Sequence, residues 1–219
     1  RYPLEGVKEM LVPREAWHPY PTIEERGPWT ALPEGLPAYY QVRAEAALGE
    51  PWPSLPATLF LEYVRVGNRS NYQRVRYERR HRLRDLVLAE CMEAEGRFLD
   101  EIVNGIWTTC EETYWGVPAH INMQRAGVDL PDVEEPTVDL FAAETAALLA
   151  WTSYLLAERL DAVSPLVRRR ISVETRRRML DPCLARDDFW WMSFNPGTHS
   201  VNNWNPWINS NWIASALLL

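Results

Sequence analysis

No run of this sequence is long and apolar enough to span a membrane. No stretch alternates apolar and polar residues with β-branched enrichment between hairpin turns, so strands are not expected. Cysteine is scarce: Cys91, Cys110 and Cys183, an odd number at wide spacing, argue against a disulfide framework and against a zinc site. Cys91 and Cys110 lie in helical-looking sequence, where buried free thiols are the expectation. An excess of positive charge is missing too. The formal charge is -7, so the molecule as a whole does not read as a nucleic-acid binder. A polyanion would need a local basic or polar cleft working against that balance. The opening Arg1-Tyr2-Pro3-Leu4 has no signal-peptide pattern and no Met. The closing Ala214-Ser215-Ala216-Leu217-Leu218-Leu219 runs on without a cap or breaker, so the sequence reads as a piece cut from a longer protein. Exact internal repeats are not visible.

What is present points to a helical globular chain. Of the 219 residues, 47% are apolar and 24% charged, enough to bury a core and too apolar for disorder. The first third is punctuated by prolines, with helices expected over Leu36–Leu48 and over Ala57–Val66, the latter opened by Pro56 and closed by Gly67-Asn68. From Asn71 to Cys110 there is no proline. Leu83, Leu86, Val87, Cys91, Phe98, Ile102 and Ile106 recur at mostly helical spacing, which predicts two helices with a bend near Gly96 or before Arg82. The arginines Arg74, Arg76, Arg79, Arg80, Arg82 and Arg84 read as a solvated helix face, or more sharply as a strip that steers polyanions. Further helices are expected over Thr137–Leu160, Leu166–Ile171, Ser172–Ala185, and from Asn203 onward. The triplets Arg168-Arg169-Arg170 and Arg176-Arg177-Arg178 read as structural. Helical pairs joined by polar, aromatic loops suggest an all-α arc or ring with its site in the loops.

Two stretches could carry chemistry. The loop Cys110-Glu111-Glu112-Thr113-Tyr114-Trp115-Gly116-Val117-Pro118-Ala119-His120 packs two carboxylates, a phenol, an indole and an imidazole into a short span. Glu111 and Glu112 suit acid or base work, Tyr114 and His120 proton transfer, and Trp115 a stacking platform. The plainer alternative is a salt-bridged helix end with a satisfied histidine. The second stretch runs from Phe189 to Trp212. It holds Trp190, Trp191, Trp204 and Trp207, His199, and five asparagines between Asn202 and Asn211. Asn is a poor helix former, but it offers donor and acceptor together, which suits sugar hydroxyls and carboxylates. The chain has eleven tryptophans. In such polar surroundings they serve either as platforms for sugar faces or as fillers of an irregular core.

The Glu111-Glu112-Thr113-Tyr114-Trp115 loop with Pro118-Ala119-His120, and the run Asn202-Asn203-Trp204-Asn205-Pro206-Trp207-Ile208-Asn209-Ser210-Asn211, resemble heparinase II/III-like proteins. These are polysaccharide lyases with an (α/α) toroid followed by β-sheet domains. The resemblance covers about Ala57 to the end. It implies an incomplete (α/α) toroid over 57–219, with 1–56 as a proline-rich segment packed on it and a β-sheet domain beyond. It implies β-elimination on a uronate-containing polysaccharide, with no cofactor or metal, no nucleic acid and no membrane, in the periplasm or secreted. Asn203 matches the asparagine that neutralises the uronate carboxylate, so that the C5 proton can be removed. Asn202 and Asn205 flank it, and Tyr114, His120 and His199 are candidates for the proton work. Substrate contacts would come from Asn202, Trp204, Asn205, Trp190, Trp191, Glu111, Glu112 and Trp115, and Trp190, Trp191 and Trp204 are expected to share one concave surface with Glu111 and His120. One position departs: relatives often carry Asn-His where this chain has Asn203-Trp204. The alternatives are a glycoside hydrolase on the same architecture, pairing Glu111 or Glu112 with Asp187 or Asp188, and a non-catalytic carbohydrate-binding domain. By itself the piece is expected to be inactive.

Overall fold

The computed structural model describes residues 3–13, 16–193 and 201–219. Among them every regular element is helical: α1 (Leu4–Met10), α2 (Arg26–Thr30), α3 (Gly35–Glu45), α4 (Ala57–Val66), α5 (Ser70–Glu93), α6 (Leu99–Glu111), α7 (Leu140–Leu155), α8 (Ala157–Val163), α9 (Pro165–Thr175), α10 (Asp181–Ala185) and α11 (Trp204–Leu218). Two short 3₁₀ helices, Pro118–Met123 and Trp190–Met192, break the loops between α6 and α7 and before α11.

The sequence explains most of these boundaries. Pro56 precedes α4 with extended backbone, and Gly67 ends it at φ 72°, a left-handed conformation open to glycine. The long apolar repeat divides where a bend was expected near Gly96, not before Arg82. Ala94 and Gly96 both take positive φ, and the buried carboxylate of Glu90 holds the turn by accepting from Gly96 N (2.8 Å) and Phe98 N (3.2 Å). The helix expected over Thr137–Leu160 starts later. Asp139, not Thr137, is its N-cap, accepting from Phe141 N and Ala142 N. It then breaks at Leu156, where α7 and α8 meet at 85°. Ser164 caps α9 through Leu166 N, with Pro165 in its first turn.

The two helices expected between Leu166 and Ala185 are one continuous run. No residue near Ser172 breaks it. A π-helical turn, Arg176–Leu180, joins α9 to α10 just before Pro182. A proline cannot donate to the carbonyl four residues back and crowds it; a widened turn absorbs both effects.

Helix α7 is the spine. Most of its residues are buried, and it packs against α11, α9, α5 and α8. Helix α5 packs against α3, α6 and α7. A single apolar cluster runs through Leu83, Phe98, Ile106, Leu149, Ile171 and Ile208 and takes in Ile23, Trp29 and Ala44 of the first 56 residues. That segment is tied down further where Arg26 donates to Cys91 O and Met92 O. The three cysteines are free and buried, as expected for Cys91 and Cys110; burial pushes each thiol up to about 12.

The arginine-rich part of α5 is not a solvated face. Arg76, Arg79 and Arg80 are buried at 1%, 4% and 6% exposure. Arg80 grips Glu112 through both terminal nitrogens, and Arg79 Nε lies 3.1 Å from the same carboxylate. Arg76 has no carboxylate within bonding distance among the described residues. It donates to Trp115 O, Phe141 O and Thr145 Oγ1 and lies beneath the rings of Tyr77 and Phe141. Arg178 crosses from the π turn to Cys110 O, Glu112 O and Thr113 O while pairing with Glu174. The loop after α6 therefore hangs on buried guanidinium groups, which supply donors its carbonyls would otherwise lack.

Candidate functional site

The loop from Glu111 to His120 was read as one site. The structure divides it between two places. Glu111, Glu112, Tyr114 and Trp115 line a cavity next to the arginines of α9 and the π turn, whereas His120 does not line it. His120 sits on the 3₁₀ helix Pro118–Met123 and turns toward the start of α7 and α11.

There His120 Nδ1 lies 2.8 Å from Asp139 Oδ2. Asp139 is completely buried. Its Oδ1 accepts from Phe141 N and Ala142 N, and its Oδ2 from Val117 N (3.2 Å) as well as from His120. A carboxylate oxygen accepts, so the short contact puts an N–H on the Nδ1 side of the ring and leaves Nε2 turned away from Asp139. Nε2 has no hydrogen-bond partner among the described residues, and the side chain is 14% exposed. The ring itself is fixed on both sides. It stacks on Phe141, with centroids 5.6 Å apart and planes 4° apart, and meets Trp204 at 4.7 Å.

Trp204 opens α11 and touches Trp190 at 4.7 Å, so two indoles extend the surface beside His120. Both are partly exposed. On the other side Phe141 meets Tyr77, which stacks on His81 one helical turn along α5, and Trp207 packs edge-on against Phe141. The result is a strip of aromatic and imidazole rings over the buried Arg76 guanidinium.

The asparagines take separate roles. Asn202 Oδ1 accepts from Trp204 N at 2.9 Å and so caps α11. Asn205 is buried; it donates to Trp191 O and to Ser193 Oγ (2.9 Å) and accepts from Asn202 N, tying the Trp190–Met192 turn to α11. Asn203 lies between them, exposed and immediately before Trp204, and its side chain makes no hydrogen bond among the described residues. Asn202 spends only its side-chain oxygen, Asn205 both ends of its amide.

Other candidates lie elsewhere. Trp191 is fully buried, stacks on Phe189 and donates to Val138 O, so it offers no face to a sugar. Trp115 is 1% exposed, donates to Thr109 O, and has Arg178 over its ring. Glu112 is bound by Arg80 and Arg79, while Glu111 is exposed at the cavity. Tyr114 is buried; burial first, then the charge of Asp139, pushes its phenol well above the ordinary value. Its hydroxyl crowds Gly116: a Cβ there would meet Tyr114 Oη at 2.3 Å and Asp139 Oδ1 at 2.6 Å, so only glycine fits. His199 lies outside the described residues.

In the sequence Asp139 is simply an acidic residue at a helix start, an ordinary N-cap. Its link to His120 joins positions nineteen apart and depends on how the intervening loop folds back. Neither protein-family models nor curated proteins yield a match to this chain.

Proposed function

We propose that this chain is the toroid part of a polysaccharide lyase that cleaves uronate-containing polysaccharide by β-elimination, working in the periplasm or outside the cell. The observation that carries the reading is the Asp139–His120 pair beneath Trp204, one residue from the unspent amide of Asn203. In this reading the sugar lies on Trp190 and Trp204, whose faces suit the C–H side of a pyranose. Asn203 donates to the uronate carboxylate and stabilises the charge that builds there when the C5 proton leaves. His120 Nε2 takes that proton. The C5–H electrons form the C4–C5 double bond, the C4–O bond breaks, and the His120 imidazolium, stabilised by Asp139, returns a proton to the leaving oxygen.

The hydrolase alternative finds less support. A glycosidase acid needs a carboxyl kept protonated, whereas Glu112 is bound to two arginines. The hydrogen bond from Arg186 holds Asp188 below the usual carboxylate range.

The test is turnover of a uronate polysaccharide by the full-length protein, read as ultraviolet absorbance of the new double bond. Elimination predicts absorbance that Asn203→Ala nearly abolishes while the circular dichroism spectrum is retained. New reducing ends without absorbance would mean hydrolysis. Unchanged turnover in Asn203→Ala would remove that residue from the mechanism.

A further inference from the structure

Two of the described tryptophans stand out at the surface, Trp107 at 39% exposure and Trp207 at 40%. The guanidinium of Arg170 lies over the ring of Trp107. Among the described residues no cation covers Trp207, whose one ring contact is with Phe141 (6.3 Å, 78°). That contact braces the indole and leaves much of it in water.

Its place on α11 gives the exposed ring a use. Trp207 follows Trp204 by three residues, so the two side chains share one side of the helix, about 4.5 Å apart along its axis. They also pack on neighbouring rings. Trp204 lies against His120 (4.7 Å), Trp207 lies against Phe141, and His120 and Phe141 stack on each other. Trp204 also meets Trp190 at 4.7 Å. It is thus the link between Trp190 and, through the His120–Phe141 stack, Trp207. The spacing along α11 is about that of successive pyranose rings in a chain. Ser210 Oγ and Asn211 Nδ2 both donate back to Trp207 O, so neither donor is turned toward a carboxylate here.

We infer that Trp207 is a second sugar platform, one ring along α11 from the sugar held at Asn203 and Trp204, so that the site takes at least two consecutive sugars of the polymer. The inference rests on the lyase reading proposed above and deepens it. Asn203 recognises a carboxylate on one sugar; Trp207 receives the C–H face of the next and reads no charge. Because Phe141 already fixes the indole, little side-chain freedom is lost on binding.

Titration calorimetry on the full-length protein tests it, in a His120→Asn background that keeps a donor toward Asp139 but cannot take the C5 proton, so that sugars bind without being cleaved. The probes are the di- and tetrasaccharides of galacturonate and of mannuronate. A disaccharide can lie on Trp190 and Trp204 alone, whereas a tetrasaccharide reaches Trp207 as well. Trp207→Ala is expected to weaken tetrasaccharide binding about tenfold, the upper end for one aromatic stacking contact, and disaccharide binding far less. Trp207→Tyr, which restores a platform, is expected to recover most of the loss, and Trp204→Ala to weaken both lengths. If Trp204→Ala weakens both lengths while Trp207→Ala weakens neither, or weakens both equally, the second platform is overturned and the lyase reading stands. If neither series binds, or neither variant alters binding, both fall.

Discussion

One carboxylate, that of Asp139, caps α7, holds the Val117 backbone and orients His120. Replacing it by Asn leaves an oxygen for the helix cap but turns an N–H toward His120, forcing the ring to accept there and to carry its proton on Nε2. On the proposed mechanism, Asp139→Asn lowers turnover about 10²- to 10⁴-fold, the range for loss of a general base. Its stability cost is only about 1–3 kcal/mol, for the stranded Val117 N–H. Steady-state kinetics beside thermal unfolding separates the two; equal turnover would show that the tautomer does not matter. At this scale the sequence was only partly legible. His120, Trp204 and Asn203 carry chemistry in their type alone. Whether a given Trp is a platform or core filler depends on neighbours far along the chain, which is why Trp190 and Trp204 stay at the surface while Trp191 and Trp115 do not.

Helix α5 shows the same division one level up. Its existence and its end near Gly96 follow from apolar spacing and a residue that tolerates positive φ. That its arginines point inward does not, because their partners are backbone carbonyls and Glu112 on the loop beyond α6. Hydropathy cannot register a buried guanidinium that is fully bonded. Helix α9 has a parallel arrangement in Glu174. Burial alone would push this carboxyl up, but hydrogen bonds from Arg178 and Arg177 outweigh it and hold it below the ordinary value. A depressed carboxylate adds stability that is present above the unfolded value, about 4.3, and is lost as pH falls through the folded value. Glu174→Gln is therefore expected to cost about 3–5 kcal/mol at pH 7, the range for one partner lost from a buried pair. The gap from the parent should shrink as pH drops below about 4. Chemical denaturation at pH 7 and at low pH checks this; a gap independent of pH would mean that the charge of Glu174 contributes nothing.

Across the whole molecule, a chain with net charge -7 buries Arg76, Arg79, Arg80 and Arg178, beneath the loop that follows α6. Arg76 lies under Tyr77 and Phe141, bonded to backbone carbonyls and Thr145, with the Asp139 carboxylate nearby. The all-helical class was legible from periodicity and from the lack of alternating strands. The separation of the expected single site into a ring strip and a cavity was not, since Gly116 and Asp139 set the dividing wall through contacts between distant segments. In the proposed function Asn203 recognises a carboxylate on a sugar lying against Trp204. The most direct measurement is the affinity of a uronate oligosaccharide compared with its carboxyl-reduced form, in the parent protein and in Asn203→Ala. The parent is expected to prefer the uronate by about tenfold, one charge-assisted hydrogen bond of roughly 1.5 kcal/mol, and Asn203→Ala to abolish the preference. Equal affinity for the two sugars in the parent, or a preference that survives in Asn203→Ala, would contradict it.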